Sequence, residues 1–278
     1  PNNMSEILTY SLFIFLAGSA ASILIDIDKF MIPQKEVISQ TAFYAVAVFI
    51  ATVVEIPGRA MFQIVNPLVA KALNENDFKG LETLYKKSSL NLIIVSGLFF
   101  LLINLNVNPF YNLILDSSYS TAVLVVLIIS LSKLILMSFG CGPAILATAK
   151  FYKITLPFSL LMAVSVYFLN DKLIDLYSIN GAALSTLIVI FVFTFLKIIY
   201  LKYKLKIQPY SLSTLKVFVL IAILFFITDS VDFNTNYLVE IIVKSVSVSA
   251  VYIILIYAMG ISNEINSVIK KILSKFSF

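Results

Sequence analysis

The sequence predicts an all-α polytopic membrane protein with about eight transmembrane helices, and three observations predict it. Hydrophobic residues make up 60% of the chain and charged residues only 13%, against about half and about a quarter in a soluble domain. The apolar excess collects into blocks near or above roughly 18 residues, the length that crosses a bilayer core. The basic residues then alternate between connections in the pattern that orients helices in a membrane. Helices satisfy their own backbone groups in lipid, and these runs are too long and too continuous for barrel strands.

The elements follow in order. Residues 8–30 form the first apolar run, ending in Asp26, Asp28 and Lys29; it lacks a basic leader and is too long for a signal peptide. Residues 41–69 form the second, apolar from TAFYAVAVFIATVV and then interrupted by Glu55, Pro57, Arg59, Gln63, Asn66 and Pro67. The connection 71–87 carries Lys71, Lys79, Lys86 and Lys87. Within it DFKGLETLYKK repeats Phe78, Leu81, Leu84 and Tyr85 at helical spacing. It reads either as an amphipathic helix on the membrane surface or as the start of the third span, 88–106. The fourth span, 119–141, ends in FGCGP, a helix break. Spans at 154–170 and 180–200 follow, then 215–230 and 238–260.

Lys150 and Lys153, the group Lys197, Lys202, Lys204, Lys206 and Lys216, and Lys270, Lys271 and Lys275 share one side with the 71–87 connection; only Lys29, Lys35 and Lys172 fall opposite. That asymmetry places both termini in the cytoplasm. The net charge of +5 is thus an orientation signal, with no nucleic-acid partner implied. Because the chain opens on Pro1, it is expected to be a fragment or a processed chain.

Ionisable residues at membrane depth are costly and mark the places to look for function. Thr52, Glu55, Arg59, Gln63 and Asn66 are spaced 3, 4, 4 and 3 apart and occupy one stripe roughly 80° wide. Glu55 and Arg59 are placed to pair along the helix. Pro57 removes a backbone hydrogen bond and should kink the helix before Arg59, with Gly58 adding local freedom. The stripe reads either as a self-neutralised pair between helices or as a cavity wall with an anion-binding arginine beside a titratable carboxylate. Counted from the same face, Lys133 and Glu55 both lie about 20 Å deep, so Lys133, Glu55 and Arg59 would ring one level if their helices are neighbours. The alternative for Lys133 is snorkelling to the surface. In the first span Ser11, Gly18, Ser22, Asp26 and Lys29 align. Asp26 reads as an interfacial cap neutralised by Lys29, or as a cavity-lining group. Glu240 and Lys244 read as a structural pair.

Histidine is absent and Cys141 is the only cysteine. An internal disulfide and cysteine-cluster metal sites are excluded, and the commonest metal ligand and proton carrier is missing. No metal and no cofactor is expected. No connection is long enough for a catalytic domain, so a membrane-embedded transferase is the weakest reading.

Three stretches carry a resemblance. The run YAVAVFIATVVEIPGRAMFQIVNPLVAKALNENDFKGLETLYKKSSLNL from Tyr44, AILATAKFYKITL from Ala144 and LYSINGAALSTLIV from Leu176 resemble bacterial oligosaccharide flippases. These belong to the multidrug/oligosaccharidyl-lipid/polysaccharide exporter superfamily. The likeness covers residues 20 to 205; the last two spans match by position and hydropathy only. It implies a six-helix C-terminal lobe at 1–205, two additional transmembrane helices at 206–278, and an N-terminal lobe absent from this chain. It implies a bacterial inner-membrane protein that flips an undecaprenyl-pyrophosphate-linked oligosaccharide by alternating access in surface polysaccharide (O-antigen, lipopolysaccharide) biosynthesis. A polysaccharide polymerase is then a candidate partner beside the missing lobe and membrane lipids. On that pattern Arg59 and Lys133 would meet the pyrophosphate. Glu55, Asp26, Gln63, Asn66, Thr52 and Ser22 would line the cavity or couple an ion, with Pro57 and Gly58 as the hinge. The chain departs from the family's Tyr-Gly before Ile-Asn-Gly by carrying Ser178. A multidrug or small-cation antiporter of the same superfamily is the competing expectation; it would need an acidic, aromatic pocket.

Overall fold

The computed structural model describes residues 4–115, 117–148, 151–231 and 236–276. Lys150, one of the basic residues counted above, lies outside them. The described chain is helical throughout: α1 (Met4–Lys35), α2 (Ile38–Ala51), α3 (Ile56–Asn74), α4 (Phe78–Ile114), α5 (Val123–Ser138), α6 (Gly142–Leu146), α7 (Tyr152–Leu205), α8 (Leu212–Asp229), α9 (Tyr237–Ala258) and α10 (Asn263–Phe276). Among the described residues six helical runs are long and apolar enough to cross a membrane, which makes this a polytopic membrane protein. Seven of the eight expected spans overlap these six runs, and the arrangement differs from the expectation in two ways.

First, α1 reaches 32 residues and holds the expected span 8–30, but it is not one of the six. Second, 154–170 and 180–200 fall in one 54-residue helical run, α7, broken at Ser178 (φ 53°, ψ −136°). The run doubles back there. Phe158 meets the rings of Phe193 and Tyr200, and Lys197 reaches the Met162 sulfur at 3.4 Å. Each arm, about half of the run, is roughly 40 Å long. The turn is tight: a Cβ on Gly181 would lie 1.9 Å from the Leu173 carbonyl oxygen.

The proline in the second run acts where expected. Pro57 has no N–H to give and its ring crowds the preceding turn. Residues Thr52–Glu55 tighten into a 3-10 turn there, between α2 and α3. Gly58, expected to loosen this point, is instead buried where α3 crosses α5, with a Cβ position 2.6 Å from the Met137 sulfur.

The stretch 77–87 is not a separate surface helix. Asp77 caps α4 by accepting from the Gly80 amide at 2.9 Å, and α4 then runs unbroken for 37 residues. Leu81 and Tyr85 are fully buried against Phe139, Ile145 and Leu201, so tertiary packing took the face that looked available to the membrane. The FGCGP break is present. Gly140 adopts φ +55° with no room for a side chain against α4. Ser88 and Ser89 of α4 bind the turn through the Cys141 amide (3.0 Å) and the Ser138 carbonyl (2.6 Å).

Among the described residues three large apolar clusters, and a small one of Val166, Val189 and Phe193 between the arms of α7, hold the bundle. One joins α1, α2, α5 and α7 around Ile32, Tyr44, Ile129 and Ala182. A second packs α8 and α9 on α4 through Ile93, Leu101, Ile221 and Tyr252. The third lies under Tyr85 at the lysine-rich end. The segment 206–278 holds two candidate spans, α8 and α9, and after them the basic tail forms the short helix α10.

Candidate functional site

The 3-10 turn before Pro57 ends on Glu55, and this aims its carboxylate across to α5. Glu55 Oε2 lies 3.1 Å from Lys133 Nζ, while Oε1 lies 3.8 Å from Arg59 Nη2. The structure therefore brings Lys133, Glu55 and Arg59 to one level. Lys133 does not snorkel; its side chain is 14% exposed and that of Glu55 20%. Arg59 is 73% exposed. One carboxylate faces two cations. The closer, better buried partner neutralises it, and among the described residues the guanidinium is left with one loose contact.

The rest of the polar stripe lies on the same open face. Gln63 and Asn66 are exposed. Asn66 also lines a cavity of about 370 Å3 with Tyr10, Asn74 and Thr148. Thr52 turns back to the Phe49 carbonyl (2.6 Å) and Ser22 to the Gly18 carbonyl (3.1 Å); each hydroxyl donates within its own helix. Asp26 is exposed and salt-bridged to Lys29 at 2.9 Å, the neutralised cap, and it also lines a cavity of about 490 Å3 with Gln34, Tyr167 and Asp171. Glu240 and Lys244 pair at 2.7 Å.

The sequence reading placed Asp28 at the interfacial end of the first span and gave it no site role; the structure makes it the most deeply buried acid described: 3% exposed. Three neutral donors from three separate stretches converge on it. The Tyr44 hydroxyl of α2 makes a short bond to Oδ2. Thr186 of the second α7 arm donates to the same oxygen at 2.9 Å, and Asn170 of the first arm donates to Oδ1 at 2.6 Å. The Asn170 carbonyl oxygen has no partner of its own among the described residues. Just beyond, Lys35 ties α1 to the same α7 arm through Asp171 (2.8 Å) and Asp175 (2.9 Å). A signal was available: Asp28 shares a helix face with Ala17, Ala20 and Ile32, all buried, whereas Asp26, two residues away, points elsewhere.

Among the described residues no three His, Cys, Asp or Glu side chains gather as metal ligands. Two electrostatic features thus stand out: an exposed guanidinium backed by a neutralised Glu55–Lys133 pair, and a buried carboxylate in a cage of neutral oxygen and nitrogen donors. No family model matches the chain, and neither a curated protein nor a solved structure matches it.

Proposed function

We propose that this chain is the C-terminal lobe of a transporter that moves a lipid-linked, pyrophosphate-bearing oligosaccharide across the bacterial inner membrane. The observation that carries the reading is the state of Arg59. Glu55 is engaged by Lys133, so Arg59 on the open face is left to receive an anion, and a guanidinium holds a phosphate through two parallel hydrogen bonds. Lys133 acts from behind by neutralising Glu55, which leaves the guanidinium charge uncompensated. The resemblance described above supplies the substrate class and a partner lobe that would face α3, while hydropathy and the lysine alternation supply eight crossings with cytoplasmic termini. Transport of this kind needs no bond to be made or broken, and no enzymatic step is assigned.

Asp28 supports coupling to a proton or a small cation. A buried carboxylate bound only by neutral groups changes its contacts when it gains a positive charge. Those contacts join α1, α2 and both arms of α7, so the change would act on those segments together. The same acid is what a cation antiporter would need, and it keeps that second reading in play.

The test is complementation of a surface-polysaccharide export defect by the full protein. Arg59→Ala should cut export by at least about tenfold, and Arg59→Lys should restore only a minor part, because an ammonium cannot make the two-pronged contact. Equal export by the wild type and Arg59→Ala would remove the anion role. Asp28→Asn should instead abolish the response to an imposed ion gradient while leaving binding of the lipid-linked substrate. Export of cationic dyes that depends on Asp28 but not on Arg59 would favour the antiporter.

A further inference from the structure

The polar stripe of α3 continues past Arg59 and Gln63 towards the lysine-rich end. At about 100° per residue, Arg59, Gln63, Asn66, Ala70 and Asn74 share one face of the helix. The last part of that face walls the cavity of about 370 Å3. Its other walls come from two separate stretches: Tyr10 of α1, and Ala147 and Thr148 just after α6. Those two walls are fixed to each other. The Tyr10 hydroxyl donates to the Ala147 carbonyl at 3.0 Å, and the ring meets Tyr152 edge-on at 4.9 Å. Small side chains at Ala70 and Ala147 keep the space between the walls open.

The lining is uncharged and able to hydrogen-bond. Asn66 and Asn74 are exposed, and among the described residues their side-chain amides bond to nothing. Each offers two donors and an acceptor. Thr148 gives its proton to the Ile145 carbonyl (2.7 Å) and keeps its oxygen to accept. Among the described residues no Lys, Arg, Asp or Glu lines the cavity, and Lys71 on α3 turns to Glu75 at 4.0 Å. An anionic group would find no cation here. An alkyl chain would strip water from two amides and return no hydrogen bond. A neutral sugar ring meets both demands: its hydroxyls donate to and accept from the amides, and its C–H face lies on alanine and the phenol ring. The volume falls in the roughly 300–1,000 Å3 range of small-ligand sites. Asn66 lies seven residues from Arg59, about 10 Å along the helix, within the reach of one or two sugar units from a phosphate held there. We propose that Tyr10, Asn66, Asn74 and Thr148 form the subsite that receives a neutral sugar residue of the lipid-linked oligosaccharide. The link to Arg59 rests on the transport reading; the match between cavity and sugar does not.

The purified full protein is titrated with polyprenyl pyrophosphates of one chain length, and affinities are read by microscale thermophoresis. The probes carry no sugar, a neutral sugar (glucose, galactose, N-acetylglucosamine or N-acetylgalactosamine) or glucuronic acid. At least one neutral-sugar probe should bind at least about tenfold tighter than the bare pyrophosphate, and the glucuronyl probe should gain nothing. Ala70→Leu fills the cavity without touching a polar group, and Asn66→Ala with Asn74→Ala removes the free amides. Each should bring that ratio below about twofold with the unfolding temperature unchanged, since all three positions are exposed. Arg59→Ala should weaken every probe and leave the ratio intact. A wild-type ratio near one, a ratio that survives either cavity variant, or an equal gain from glucuronic acid would overturn the subsite. The two readings fail separately. Bare pyrophosphate bound as tightly by Arg59→Ala as by the wild type removes the anion role, while a sugar ratio lost in Ala70→Leu still upholds the cavity.

Discussion

Single residues set the electrostatics of this protein by their neighbours rather than by their type. Glu55 has two bases within 4 Å and is held by the nearer. Replacing Lys133 with Met should strand that carboxylate against a loosely placed Arg59 and destabilise the chain by roughly 2 kcal/mol, read as a lower unfolding midpoint in detergent. The double change Glu55→Gln with Lys133→Met should recover most of the loss, since no charge is left stranded. Ser178 gives a second residue-scale prediction. It holds φ 53° at the α7 turn, where an L side chain is strained and glycine is not. Ser178→Gly should stabilise the protein by about 1 kcal/mol, a gain of a few degrees in unfolding temperature. Gly181→Ala should do the reverse and more strongly, because its Cβ would meet backbone rather than a side chain that can move.

Elements were legible to different degrees, and the reasons are physical. Pro57 kinks its helix because a missing N–H and a ring clash are local facts that no tertiary contact cancels. The FGCGP break is local in the same sense. The stretch 77–87 and the tail 263–276 show the opposite. Both carry apolar residues at helical spacing beside lysines, yet one is the buried start of α4 and the other a surface helix. A periodic face says that something covers it, not whether the cover is protein or lipid. The bridge that docks α10 makes a pH prediction. Lys87 holds the Glu264 carboxyl below the usual glutamate range. A depressed acid stabilises the folded contact above its unfolded pKa and loses that contribution as pH falls through the lowered value. Hydrogen exchange in α10, taken relative to the intrinsic rate at each pH, should therefore be slow at neutral pH and accelerate only in acid below the ordinary glutamate range. Glu264→Gln should make it fast at both.

At the scale of the whole molecule, the lysine-rich connections fix an expected sidedness that labelling can check. Cys141 is fully buried and should stay unreactive to a membrane-impermeant thiol reagent, so single cysteines placed elsewhere report cleanly. Glu36→Cys, beside the Lys35 clasp, should be modified only from outside the cell, and Ser274→Cys on α10 only from the cytoplasm. Labelling of both from the same side would break the assigned alternation. By itself the sequence determined the all-helical, membrane-spanning class, the proline kink and the level shared by Glu55, Arg59 and Lys133, because hydropathy, backbone chemistry and helical rise act along the chain. Only the tertiary structure decided that Lys133 rather than Arg59 neutralises Glu55, that α7 doubles back at Ser178, and that Asp28 is buried among Tyr44, Asn170 and Thr186. Those three donors lie 16, 142 and 158 positions away in the chain. The environment of a charge is set by what packs around it, which spacing along one helix does not encode.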